Sequence, residues 1–98
     1  MVEKIEVQNV NVPGYVERVD AAKYRAMHAA MMKIMTIGEP GMTAAQIKEA
    51  AIPYLPDDLF PGGKTAGWWQ KTVQLDLEAK GKLARSAKSP LRFWRTTE

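Results

Sequence analysis

A glycine pair followed by Lys64 and Thr65 gives this sequence the ending of a phosphate-binding loop. Such a loop requires the pattern G-x-x-x-x-G-K-[ST], because its backbone amides must wrap around a phosphate that the lysine also reaches. Five places before Gly63 stands Asp58, so the first glycine is replaced by an acidic residue. We therefore predict that the glycines form a turn and that Thr65 caps a helix. The N-terminus of that helix could hold one phosphate of a nucleic acid, with help from Lys64.

The residue types that usually perform catalysis do not form a recognisable catalytic set in this sequence. His28 is the single histidine and the chain has no cysteine, which excludes disulfides and leaves no ordinary zinc site. Asp57 and Asp58 are adjacent, so their carboxylates tend not to converge on one substrate atom. Ser86 and Ser89 have no evident base beside them. We predict no catalytic residue, no metal and no cofactor.

The stronger chemical pattern is a basic C-terminal end that follows a helix with a polar stripe. From Lys80 to Glu98 there are six cationic side chains and one acidic one, whereas the rest of the chain is net negative. Lysine and arginine bind phosphates, and glutamine can form two hydrogen bonds with adenine. Together with Lys64 and Thr65, the residues predicted to contact nucleic acid are Gln70, Lys71, Gln74, Arg85, Lys88, Arg92 and Arg95. The alternative is an ordinary solvated helix face and a solubilising edge strand.

Local signals define the elements that would position these residues. Asp20 is a good N-cap for a first helix rich in Ala and Met, and Thr43 with Gln46 forms a capping box for a second helix. A third helix is predicted from about Thr65 to Lys80. The N-terminal segment, residues 1–19, reads as a short strand or an extended arm. The C-terminal segment reads as a β-hairpin with its loop around residues 87–90.

The third helix has two sides when its residues are placed at 100° intervals. The polar stripe contains Gln70, Gln74 and Glu78, and we expect it to face solvent. The broad apolar arc includes the tandem Trp68 and Trp69, which we expect in the core. The other apolar residues of this arc are Val73, Leu75, Leu77 and Ala79. Asp76 falls inside this arc, so we expect it to pair with an arginine or a backbone donor.

Three helices followed by a basic hairpin resemble the winged-helix superfamily. Val73 and Leu77 on the third helix, then Gly81 and Leu83, occupy the places where winged-helix regulators carry apolar residues, a glycine and the start of the first wing strand. The whole chain also resembles a group of small bacterial proteins of uncharacterised function. The resemblance implies an α+β fold, a three-helix winged helix-turn-helix with a C-terminal β-hairpin wing. Residues 20–98 would form this single domain after the N-terminal strand or arm.

Two functions are consistent with these features. The leading expectation is a nucleic-acid-binding protein, with duplex DNA as the partner and transcription regulation as the role. The alternative is an adaptor that binds other proteins and no DNA. A winged-helix protein that binds DNA specifically is expected to form a homodimer, through the first helix or the N-terminal arm, to gain a second half-site. The sequence implies no small-molecule ligand and no membrane span, and its lack of cysteine fits the cytoplasm.

Overall fold

The computed structural model describes residues 2–96 and shows an α+β fold of three α-helices and two small antiparallel hairpins. The N-terminal hairpin pairs β1 (Lys4–Gln8) with β2 (Val16–Asp20). The helices are α1 (Ala21–Ile34), α2 (Ala44–Ala51) and α3 (Ala66–Ala79). The C-terminal hairpin pairs β3 (Leu83–Arg85) with β4 (Phe93–Arg95). The predicted α+β class is therefore confirmed.

The N-terminal hairpin is part of the main core. Its register places Ile5 opposite Val19, and residues on that face, including Val7, pack against the helices. Val7 and Val19 are both buried, whereas the opposite face of the hairpin is exposed to solvent. This segment was predicted to form either a short strand or an extended arm, and the strand is correct. The second strand, β2, was not predicted.

The first two helices begin where their capping residues indicate. The Asp20 side chain accepts a hydrogen bond from the backbone amide of Lys23 at 3.1 Å. At α2, the Thr43 hydroxyl accepts from the Gln46 amide at 3.2 Å, and the Gln46 side chain accepts from the Thr43 amide at 3.0 Å. Both satisfy backbone donors that the helix itself cannot. The two predicted N-termini are confirmed.

The segment between α1 and α2 extends the C-terminal hairpin. Ile37 forms a parallel bridge with Arg95, and Met42 forms an antiparallel bridge with Phe93. Gly41 permits this approach: its φ is +75°, and a Cβ there would lie 2.4 Å from the Phe93 carbonyl oxygen. A side chain at this position is therefore excluded both by the left-handed backbone and by the neighbouring strand.

Helix α3 is the central element of the fold. It packs against α1, α2, β1 and β3, and these contacts bury most of its circumference. The core around it includes Met27, Met31, Ile47, Phe60 and Val73, all almost completely inaccessible to solvent. Within residues 2–96, no helix is long and apolar enough to cross a bilayer.

Candidate functional site

The polar stripe of α3, formed by Gln70, Gln74 and Glu78, is buried. Gln70 is 4% exposed and Gln74 is 5% exposed, so the expectation that they face solvent is wrong. The Gln70 side-chain amide donates to the Gln74 carbonyl oxygen at 2.7 Å, and the Gln74 amide donates to Glu78 at 3.4 Å. Because each of these side chains is one helical turn from the next, they form hydrogen bonds with one another, and the stripe can be buried.

Arg85 completes this chain of hydrogen bonds from the C-terminal hairpin. Its guanidinium donates to both carboxylate oxygens of Glu78, at 2.5 and 2.8 Å. The Glu78 side chain is 3% exposed, and this carboxylate raises the pKa of Arg85 chiefly through the hydrogen bond. Glu78 was predicted to lie on an open helix face, and this prediction is wrong. Arg85 was predicted to contact nucleic acid; its charge is paired with that of Glu78 within the chain, and the contact stays a prediction.

Arg95 is also turned toward the body of the protein. Its Nη1 donates to the Met32 carbonyl oxygen of α1 at 3.3 Å, and the side chain is half-buried. Its Nε is buried and has no hydrogen-bond partner among the described residues. Arg95 was predicted to contact nucleic acid; it lies half-buried against α1, and that contact stays a prediction. The structure does not bring Arg95 and Arg85 together with the remaining predicted residues on one open surface.

Besides Arg85 and Arg95, five of the predicted contacts are accessible to different degrees. Lys64, Thr65, Lys71 and Lys88 are exposed, and Arg92 is half-buried. Lys64 precedes α3, Lys71 is on its solvent side, and Lys88 lies in the loop of the C-terminal hairpin. These positions are compatible with binding an acidic partner, and their predicted role stays a prediction.

Thr65 occupies the N-cap position of α3 but does not cap it with its side chain. Its backbone is left-handed, with φ at +63°, and its hydroxyl donates to the Lys64 carbonyl oxygen at 2.6 Å. The prediction of a side-chain cap is therefore wrong. The glycine pair does form the predicted turn, and the Asp57 carboxylate accepts from the Gly62 amide at 3.0 Å within it.

The solvent side of α3 is formed by a different stripe of residues. Trp68 is 53% exposed, so its predicted place in the core is wrong. Its ring packs against the buried Trp69 ring in a T-shaped arrangement, with centroids 4.9 Å apart. We define the outer face of α3 as the exposed and half-exposed residues at helical spacing: Trp68, Lys71, Thr72, Leu75 and Ala79. This face is mainly apolar with one cation.

Asp76 forms a second buried polar centre. Its carboxylate is fully buried and accepts from the Gln8 backbone amide at 2.8 Å, from the Tyr24 hydroxyl, and from Lys80 Nζ at 2.9 Å. The expected backbone donor is thus confirmed. Burial and the Asp76 carboxylate both raise the pKa of Tyr24, so its hydroxyl remains a donor. Asp76 therefore joins β1, α1 and the end of α3.

His28 lies on α1 beside this centre, with its ring stacked on that of Tyr24 at 6.1 Å. Burial is the main cause that lowers the pKa of His28, and the charges of Arg95, Lys80 and Lys82 lower it further. Asp76 acts in the opposite direction and offsets part of this effect. Within residues 2–96, no group of three or more His, Asp or Glu side chains is arranged to hold a metal ion.

Neither the outer face of α3 nor the group of side chains around His28 was predicted from the sequence. Glutamines and a glutamate at intervals of four, followed by an arginine, form a set that can satisfy its own hydrogen bonds. That signal would have indicated that the polar stripe could be buried. Lys82 carried no separate signal, because a lysine next to Gly81 reads as an ordinary turn residue.

Comparison with known proteins identifies a family without assigning an activity. Neither the curated proteins nor the solved structures include a match to this chain. A family model described as a family of unknown function, DUF6958, matches residues 4–93. That match begins at the first strand and extends to the first residue of the last one. The chain therefore belongs to the DUF6958 family.

Proposed function

We propose that this chain is a winged-helix domain that binds another protein through the outer face of α3. The order of three helices and a C-terminal hairpin supports the winged-helix part of the proposal. The bridges from Ile37 and Met42 to β4 support it too, because they place the segment between α1 and α2 beside the hairpin. The N-terminal hairpin would be an addition to that arrangement.

The exposed Trp68 is the observation that carries the protein-binding role. Tryptophan contributes strongly at protein interfaces because it buries a large area with little loss of side-chain freedom. Leu75 and Ala79 continue the apolar surface along the helix, and Lys71 lies at its side. The partner that fits this face presents an apolar pocket with an acidic rim.

The proposal assigns the chain no catalytic role. Its support is that two side chains of catalytic type, those of Asp57 and Ser86, have structural partners. Asp57 holds the Gly62 amide, as described above. The Ser86 hydroxyl accepts from the Arg92 amide at 2.9 Å and donates to the Lys88 carbonyl oxygen at 3.1 Å. These bonds fix the loop of the C-terminal hairpin.

Nucleic-acid binding is the second candidate, and the exposed cations favour it. Lys64, Lys71 and Lys88 have no ion-pair partner among the described residues and could contact phosphates. In this form of the hypothesis the exposed lysines contact phosphates, and the buried glutamines do not contact bases. It predicts duplex binding that depends on salt and has little sequence preference.

The discriminating experiment compares two variants with matched controls. Trp68→Ala should abolish capture of a protein partner from extracts of the native cell, whereas Tyr54→Ala should not. Tyr54 is a suitable control because it is 54% exposed, nearly the same as Trp68, and lies outside α3. Equal capture by both variants, or no capture by the wild type, would refute the protein-binding proposal.

The nucleic-acid candidate is tested in a mobility-shift assay with random duplex DNA at two salt concentrations. Lys64→Ala combined with Lys71→Ala should weaken the complex and reduce the log–log salt slope by about 0.9 for each lost phosphate contact. The control combines Lys4→Ala with Arg18→Ala, two exposed cations of the N-terminal hairpin. Absence of a shift at low salt would exclude this candidate.

A further inference from the structure

A cavity of about 430 Å³ lies between the N-terminal hairpin, α1, the end of α3 and β4. Ile5, Met32 and Leu77 form its apolar lining. A cavity of this volume is within the range of sites that bind small organic molecules. It is separate from the outer face of α3, because Leu77 is on the buried side of that helix.

Cationic side chains form the other part of the lining. Lys80, Lys82 and Arg95 all border the cavity, and no lining residue within 2–96 carries a carboxylate. Lys80 is paired with the buried Asp76, whereas Lys82 and Arg95 have no ion-pair partner among the described residues. Among the described residues, two positive charges therefore lie beside an apolar surface with no ion-pair partner.

Arg95 also has unused hydrogen-bonding capacity. Its buried Nε has no acceptor in residues 2–96, and its Nη1 makes a single long bond of 3.3 Å to the backbone. Buried donors are nearly always satisfied in folded proteins, and Arg95 borders the cavity, so its guanidinium has donors left for an acceptor there. A guanidinium is well suited to anionic oxygens because its N–H groups form a planar fork.

His28 is also part of the lining, so its imidazole lies close to these charges. Besides burial, the charges of Arg95, Lys80 and Lys82 lower its pKa, and Asp76 offsets them only in part. A negative charge that entered the cavity would favour the protonated imidazole.

We propose that this cavity binds a small organic anion with an apolar body. Arg95 and Lys82 would hold the anionic oxygens, and Ile5, Met32 and Leu77 would contact the apolar part. Lys80 contributes less because Asp76 already binds it. This proposal goes beyond protein binding by the outer face of α3 and does not depend on it.

Octanoate is the probe for the test, and the imidazole signal of His28 is the readout, since the chain has no other histidine. NMR titration should show a saturable change in this signal and a higher His28 pKa when octanoate is bound. Octanamide has nearly the same shape without the charge, and acetate has the charge without the apolar body. Neither should produce the same change at equal concentration.

Variants assign the binding to the cavity. Lys82→Met removes an exposed charge, so the protein should fold, and octanoate affinity should fall about tenfold, as expected for one charge-assisted contact. Arg95→Met should reduce it further. Lys88→Met, outside the cavity, and Trp68→Ala, on the outer face of α3, should leave octanoate binding unchanged. The proposal is overturned if octanoate causes no saturable change, if octanamide matches it, or if Lys82→Met binds as tightly as the wild type.

Discussion

Replacing Asp76 by alanine should strongly destabilise the protein. The change removes the acceptor of the Tyr24 hydroxyl and the Gln8 amide. Tyr24 is 6% exposed, so water cannot readily replace the lost bond. A buried donor without a partner costs about 1–3 kcal/mol, and the amide at the end of β1 adds a smaller loss. The ion pair with Lys80, whose side chain is 38% exposed, adds at most about 1 kcal/mol.

The expected loss for Asp76→Ala is therefore about 2–5 kcal/mol, compared with about 5–15 kcal/mol for the total stability of a domain of this size. Asp76→Asn should lose roughly half as much, because its carbonyl can still accept one bond while its amide donates to the Tyr24 oxygen.

Urea unfolding followed by circular dichroism measures these free energies. Asp58→Ala is the matched control, since Asp58 is an exposed carboxylate, and it should change the unfolding free energy by no more than about 0.5 kcal/mol. If Asp76→Ala and Asp58→Ala unfold at the same urea concentration, the argument that Asp76 joins three elements is incorrect.

The same unfolding assay checks three further predictions. Gly41→Ala should cost about 2 kcal/mol or more, and clearly more than Gly38→Ala, because both have positive φ but only Gly41 meets the backbone of β4. Arg85→Ala should cost about 3–5 kcal/mol by leaving the buried Glu78 carboxylate unpaired; a loss below that of Arg85→Lys would contradict this. His28 has a lowered pKa when folded, so the unfolded chain binds the proton more readily, and stability should fall as pH drops below about 6.5. His28→Gln should show a shallower fall across that range, and parallel curves would refute the role of His28.

The local features of the fold were predictable because each depends on a few adjacent residues. Asp20 marks the start of α1, and Thr43 with Gln46 marks the start of α2, through bonds that close within one turn. The second strand of the N-terminal hairpin was not predictable in the same way. Val16 and Val19 point to opposite faces of this strand, so its sequence shows no regular alternation of apolar and polar residues. The strand forms through its pairing with β1.

The orientation of α3 could not be derived from polarity alone. A stripe of Gln70, Gln74 and Glu78 reads as a solvent face if each residue is judged separately. Their hydrogen bonds to one another and to Arg85 remove the cost of burial, and this depends on a contact made only in the folded chain. The exposed position of Trp68 follows directly, because burying one side of the helix turns the other outward.

The bond between Glu78 and Arg85 also constrains how the sequence can diverge. Loss of Arg85 alone would leave the negative charge of Glu78 buried without a partner. Relatives that lack the arginine should therefore have replaced the glutamate as well. The two positions are expected to co-vary, and the hairpin and α3 should be inherited as one block. A chimera that transplants the hairpin onto a foreign helix would need to carry the glutamate with it.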